Sequence, residues 1–126
     1  MLGSARLQTI AWTSDIARAE AFYGGLLELK LVGRSHGALV YRVGQGELRV
    51  SPVPATEPSP HTVFGFGVDD VAAVAARLTG KGLVAERFDG FDHDANGVWR
   101  APDGAKVVWF RDPDGNLFSV VQYAGG

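Results

Sequence analysis

Residues 13–23, TSDIARAEAFY, and residues 68–78, VDDVAAVAARL, follow one pattern and begin 55 positions apart. Each stretch has polar residues suited to capping a helix at its second and third positions and continues with apolar side chains at helical spacing. Aligning one stretch on the other matches four pairs of similar residues: Asp15 with Asp70, Ile16 with Val71, Ala19 with Val74 and Tyr23 with Leu78. Self-similarity at a fixed offset predicts two related structural units in one chain.

The segments around the two helices predict strands in a repeated order. In the first half we expect strands at residues 7–13, 29–32, 38–43 and 47–53. In the second half we expect them at residues 62–68, 84–88, 98–101, 106–110 and 117–123. Prolines between them predict a linker, because proline removes a ladder donor. The sequence therefore predicts one α+β domain over residues 1–126, with module one at about 6–53, a linker at about 54–61 and module two at about 62–123.

The composition is that of an ordinary soluble globular domain. The chain has 126 residues, 46% of them hydrophobic, a net charge of −2 and no cysteine. Lack of cysteine excludes a thiolate nucleophile and cysteine-bound zinc, and it is compatible with the cytoplasm. We see no signal-peptide pattern, no apolar run of membrane length and no basic footprint for nucleic acid. We therefore expect a cytoplasmic protein whose partner is a small molecule, with neither nucleic acid nor membrane.

The repeat and two local motifs resemble a known family. The motifs are residues 13–23, which end in Phe22-Tyr23, and the turn DPDGNL at residues 112–117. Over about residues 6–123 the chain resembles the vicinal oxygen chelate superfamily, which includes glyoxalase I, bleomycin-resistance binding proteins and extradiol dioxygenases. The resemblance implies two tandem βαβββ modules that form an open, curled mixed sheet around a central cleft. Because dimers occur in this family, we also expect a homodimer.

The resemblance also implies four positions that hold a metal ion in the metal-using relatives, on the first and last strand of each module. In this chain those positions carry Gln8, Arg49 or Ser51, Val63 and Ser119. Divalent metals prefer imidazole and carboxylate donors. Valine cannot ligate, neutral serine is a poor ligand and arginine adds positive charge. We therefore expect no metal and no cofactor here, and the sequence leaves open whether the chain is an enzyme.

Strand alternation predicts what lines the cleft instead. Two sets of side chains are expected to face it: Gln8, Ile10 and Trp12 from module one, and Val63, Gly65 and Gly67 from module two. In one interpretation Trp12 stacks on a ligand that occupies the space left by the glycines. In the other the glycines only accommodate Trp12 as core packing.

Polar groups near the predicted cleft have alternative interpretations as well. Arg49 either binds a carboxylate or phosphate or is a solvated arginine on an edge strand. His61 either acts as a base or ligand beside Gln8 or lies on the surface. Gln8 and Ser119 are candidates to hydrogen-bond a ligand that stacks on Trp12, or on Trp99 or Trp109.

Residues 92–97, DHDANG, together with Asp103 nearly match a calcium-binding loop. No helix pattern flanks them, and Pro102 lies where a second helix would begin, so we favour a polar hairpin loop. Residues 88–97 are also a candidate cover over the cleft, with Phe88 and Phe91 placed to pack on a ligand.

Three functions fit these observations. The preferred one is metal-independent binding, including sequestration, of a small, mostly apolar or aromatic molecule, as in the antibiotic-resistance relatives. The alternative is a metal-dependent lyase, isomerase or dioxygenase, which would need ligands from a set such as His61, Gln8, Glu47 and either His36 or His93. The third is a structural domain whose cleft is filled.

Overall fold

A computed structural model describes residues 1–125, which divide into two units that each contain a sheet and a helix. The first unit comprises residues 1–58 together with 113–115, and the second comprises residues 59–112 and 116 onward. The boundary after residue 58 falls inside the predicted linker. Residues 113–115 belong to the first unit although they lie between strands of the second.

The first unit is a four-stranded mixed sheet with one helix. Its elements are β1 (Gln8–Thr13), α1 (Ile16–Glu20), β2 (Lys30–Ser35), β3 (Ala38–Val43) and β4 (Gly46–Pro52). The strand order is β1-β4-β3-β2, with β1 parallel to β4 and the other neighbours antiparallel. Asp15 caps α1, because its carboxylate accepts a hydrogen bond of 3.1 Å from the backbone N–H of Arg18.

The helix of the first unit changes its winding after one turn. Apolar residues at helical spacing continue to Leu27, but Ala21–Leu26 form a π-helical segment. Gly24 and Gly25 are poor helix formers, and Gly24 lies against the sheet, where an added Cβ would be 3.5 Å from the Tyr41 hydroxyl. Glu28 then adopts a φ of 60°, the left-handed conformation that commonly ends helices.

The second unit repeats this plan. Its elements are β5 (Thr62–Gly67), α2 (Val71–Gly80), β6 (Trp99–Arg100), β7 (Lys106–Arg111) and β8 (Leu117–Gln122). The strand order is β5-β8-β7-β6, and β5 is parallel to β8. Asp70 caps α2 through the N–H of Ala73 at 3.1 Å, as Asp15 caps α1. The predicted α+β class and the tandem βαβββ modules are confirmed.

The predicted strand over residues 84–88 is wrong. This stretch is irregular, and Glu86 N–H donates to the Trp109 carbonyl at 2.8 Å without starting a ladder. Gly90 follows with a φ of 86°, which breaks extended backbone. The chain then turns so that the aromatic side chains after Glu86 pack on the sheet, and β6 pairs over only two residues.

The motif DPDGN has a structural role in the first unit. The Asp114 side chain is only 1% exposed, and it accepts hydrogen bonds from the Thr13 hydroxyl at 2.6 Å and the Ser14 N–H at 2.9 Å. The Thr56 hydroxyl donates at 2.8 Å, and Arg18 forms an ion pair at 3.0 Å. Burial acts to raise the pKa of Asp114, but the hydrogen bonds from Thr13, Ser14 and Thr56 outweigh it and lower the pKa. Asp114 therefore fastens the end of β1 to the linker.

Candidate functional site

The face of the first sheet that points away from α1 carries the residues predicted for module one. Three pairs lie level across the parallel strands β1 and β4: Gln8 with Glu47, Ile10 with Arg49 and Trp12 with Ser51. The alternate residues Ala11 and Thr13 are buried on the helix side. By contrast, Ile10 is 49% and Trp12 60% exposed. This open face thus presents apolar surface next to polar groups.

Strands β3 and β2 add positive charge to the same face. Arg42 is the cross-strand neighbour of Glu47, and Lys30 is the cross-strand neighbour of Arg42. Glu47 is already paired, since Arg6 donates to its carboxylate at 2.6 Å. Arg42 also lines a surface concavity of about 800 Å³ together with residues 4–7 and 44–46. Sequence reasoning missed Arg42 and Lys30, although alternation along β3 from Val40 would have placed Arg42 here.

Arg49 occupies the centre of this face. The interpretation of Arg49 as an edge-strand residue is wrong, because β4 lies between β1 and β3. Its Nη2 reaches across β3 and donates to the Ser35 carbonyl at 2.9 Å, and the side chain is half-buried. The register also favours Arg49 over Ser51 as the counterpart of Ser119. Ser119 is the cross-strand neighbour of Gly65. Gly65 corresponds to Ile10 in the 55-residue repeat, and the cross-strand neighbour of Ile10 is Arg49.

The predicted residues of module two make a different surface. An added Cβ on Gly65 would lie 2.5 Å from the Ser119 hydroxyl oxygen, so that side chain already fills the space beside Gly65. This neighbour in the adjacent strand explains the glycine, and neither earlier interpretation of Gly65 is needed. An added Cβ on Gly67 would lie at an ordinary 3.9 Å from the Tyr123 ring. Val63 lies at an irregularity in the pairing of β5 with β8.

His61 lies at the entrance to β5. Its side chain is exposed, and its backbone carbonyl accepts a hydrogen bond of 2.6 Å from the Ser59 hydroxyl. This arrangement agrees with the interpretation of His61 as a surface residue.

Five aromatic side chains form a cluster on the open face of the second sheet: Phe88, Phe91, His93, Trp99 and Trp109. Phe91 stacks on Trp99 with ring centroids 4.5 Å apart and an interplanar angle of 12°. Phe88 meets Trp109 edge-on at 5.1 Å. Residues 88–97 therefore cover the sheet of their own unit, where we expected Phe88 and Phe91 to pack on a ligand.

Hydrogen bonds fix the loop that carries this cluster. The His93 ring lies between the Phe88 N–H, which donates to Nε2 at 3.0 Å, and the Gly97 carbonyl, 2.8 Å from Nδ1. The Asp94 carboxylate accepts from the N–H groups of Asn96 and Val98, each at 2.9 Å. These bonds close a turn, so the prediction of a polar hairpin loop is confirmed.

The residues at the predicted ligand positions do not fit a divalent metal. They offer an amide at Gln8, a guanidinium at Arg49, methyl groups at Val63 and a neutral hydroxyl at Ser119, where metals prefer imidazole and carboxylate. Glu47 lies level with Gln8, but Arg6 pairs with it. Over residues 1–125, no three histidine, aspartate or glutamate side chains are grouped so that they could hold a metal ion.

The histidines of the metal-enzyme alternative are distributed over both units. His36 lies in the turn between β2 and β3 with Nδ1 3.2 Å from the Ser35 hydroxyl, and His93 lies in the aromatic cluster of the other unit. The donor set therefore gives no support to that alternative.

Tandem βαβββ modules define the class of fold to which glyoxalases belong. The family model of the Glyoxalase/Bleomycin resistance protein/Dioxygenase superfamily matches residues 6–120, and the chain belongs to this superfamily. A search of the curated proteins gives no match. No helix within residues 1–125 has the length and hydropathy to cross a membrane.

Solved structures share the fold over nearly the whole chain. A superfamily member from Sphaerobacter thermophilus superposes with a TM-score of 0.77 at 19% identity, covering 98% of this chain and 100% of its own. A lactoylglutathione lyase from Agrobacterium tumefaciens gives 0.73 at 23% identity, covering 94% of this chain and 93% of its own. A member from Alicyclobacillus acidocaldarius gives 0.74 at 18% identity, covering 96% and 92%. At these low sequence identities, the similarity to the three structures shows a shared fold.

Proposed function

We propose that the chain binds a small, mostly apolar or aromatic molecule without a metal ion and sequesters it. One observation carries this proposal: Trp12 and Ile10 are exposed on an open sheet face whose neighbouring polar groups are poor metal ligands. Exposed apolar surface of this kind commonly marks a binding site. The ring of Trp12 offers a flat surface on which an aromatic ligand can stack.

The size of the apolar contact limits the affinity. Burying about 200 Å² of apolar ligand surface favours binding by roughly 5 kcal/mol before the costs of association are subtracted. A single stacked ring therefore binds weakly, and polar contacts from Gln8, Arg49 or Ser51 have to supply the rest. A homodimer, which we also propose, would carry two such faces. The cytoplasmic location and a role in antibiotic resistance stay predictions of the sequence.

Tryptophan fluorescence and calorimetry in EDTA test the proposal. We expect aromatic metabolites or aromatic antibiotics to quench or shift the emission and to bind with the chelator present. Trp12→Ala should abolish that binding, and Trp109→Phe, which alters the separate aromatic cluster, should preserve it. Binding that needs an added divalent metal would refute metal independence. A flat response to the whole panel, with every variant folded, would refute the binding function.

A further inference from the structure

We infer that the ligand is a planar aromatic carboxylate, with its ring on Trp12 and its carboxylate on Arg49. The inference rests on the proposed function and names the class of molecule that the same face selects. Two observations support it: the charges on that face and the spacing of its residues. The proposed function rests instead on the exposed apolar surface of Trp12 and Ile10.

The open face of the first sheet is positively charged although the chain as a whole is not. The chain has a net charge of −2, yet this face carries the cations Lys30, Arg42 and Arg49. Its one acid, Glu47, is paired with Arg6 at 2.6 Å. Within residues 1–125 neither Lys30 nor Arg42 takes part in an ion pair. An uncompensated group of cations beside an apolar patch favours an anionic ligand over a neutral or cationic one.

Arg49 is held in position to bind a carboxylate. Its hydrogen bond to the Ser35 carbonyl uses one of the five N–H donors of the guanidinium, and it fixes the long side chain across β3. The rigid fork of the guanidinium matches the two oxygens of a carboxylate. Part of the ordering cost of binding is therefore met before the ligand arrives.

The spacing across the sheet sets the size of the ligand. Trp12 lies on β1 and Arg49 on β4, but Nη2 of Arg49 reaches across β3 to the Ser35 carbonyl, so the ring and the carboxylate would be about two strand spacings apart. Neighbouring strands are about 4.8 Å apart, which makes this distance about 10 Å. A fused aromatic ring whose carboxylate is hydrogen-bonded to the guanidinium covers that distance. Arg42 lies one row beyond Arg49, where it adds attraction that falls with salt.

The experiment compares 2-naphthoate with its neutral amide, 2-naphthamide, by calorimetry in EDTA. A charge-assisted bidentate contact should make naphthoate bind about tenfold more tightly than the amide. Arg49→Gln should reduce naphthoate binding to the level of the amide and leave the amide unchanged. Arg49→Lys keeps the positive charge but loses the planar pair of donors. Its affinity for naphthoate should therefore lie between those of the wild type and of Arg49→Gln. Trp12→Ala should weaken both ligands.

Arg34→Gln is the matched control, because Arg34 lies on the helix side of the same sheet and pairs with Glu20 at 2.6 Å. It should leave both affinities unchanged, and thermal melting shows that each variant is folded. Equal affinity for naphthoate and naphthamide, or naphthoate binding that survives Arg49→Gln, would overturn this inference and leave the proposed function standing. Failure of both probes to bind would also overturn it. The proposed function would fail only if the wider panel were flat as well.

Discussion

Replacing Asp114 with alanine tests the network that fastens β1 to the linker. The change removes the acceptor for the Thr13 hydroxyl at 2.6 Å, the Ser14 N–H at 2.9 Å and the Thr56 hydroxyl at 2.8 Å. Leaving a buried donor without its acceptor costs about 1–3 kcal/mol. Arg18 is 46% exposed, so the lost ion pair adds little. Since water reaches some of the freed donors, we expect a loss of about 3–5 kcal/mol in the free energy of unfolding.

The pH dependence of Asp114→Asn gives a second measure of the same group. Because the folded pKa is lowered, the carboxylate contributes stability above its unfolded pKa of about 3.9, and that stability is lost as the pH falls through the folded pKa. The difference in stability between the wild type and Asp114→Asn should therefore be constant near pH 7 and shrink below about pH 4.

Urea unfolding followed by circular dichroism at pH 7 and across the acid range measures both effects. Asp89→Asn is the control, because Asp89 is exposed and outside this network. A loss below 1 kcal/mol for Asp114→Ala, or a difference for Asp114→Asn that grows on acidification, would refute the reasoning.

Three further predictions follow from local geometry. Gly65→Ala should destabilise the protein by about 1 kcal/mol, because its Cβ would lie 2.5 Å from the Ser119 hydroxyl oxygen and would force that hydroxyl to rotate away, and Ser119→Ala should restore most of the loss in the double variant. Gly115→Ala should lower the free energy of unfolding, measured with urea, by more than Gly90→Ala does. Both glycines have positive φ, but only Gly115 would bring a Cβ to 2.7 Å from the Pro58 Cα, so equal losses would contradict the contact argument. Phe91→Ala should remove the stack on Trp99 and speed hydrogen exchange across residues 88–97 while leaving α2 protected; unchanged exchange in the loop would show that the stack does not hold it.

The architecture was predictable because the signals for it are local. Asp15 and Asp70 each precede an apolar helical stripe, and both are helix caps in the structure. The strands that border turns were also placed well. The prediction of a strand at residues 84–88 was wrong because Val84 and Phe88 suit a strand, whereas the tertiary contacts of this segment keep it irregular.

The site was less predictable because it depends on register between distant segments. Counting along the sequence could not choose between Arg49 and Ser51, since β1 and β4 pair only through the fold. The row that joins Glu47, Arg42 and Lys30 likewise exists only once three strands are aligned. The aromatic cluster collects side chains from an irregular segment, β6 and β7, and no spacing rule predicts that meeting.

The contribution of residues 113–115 to the first unit affects how the chain matures during synthesis. Thr13 is synthesised 101 residues before Asp114, and Ser14 is synthesised 100 residues before it. The amino-terminal half of a nascent chain therefore lacks its contacts with Asp114 until residues 113–115 have been made. Truncation just before residue 113 would deprive that early half of its anchor, although every helix and strand of the half would still be encoded.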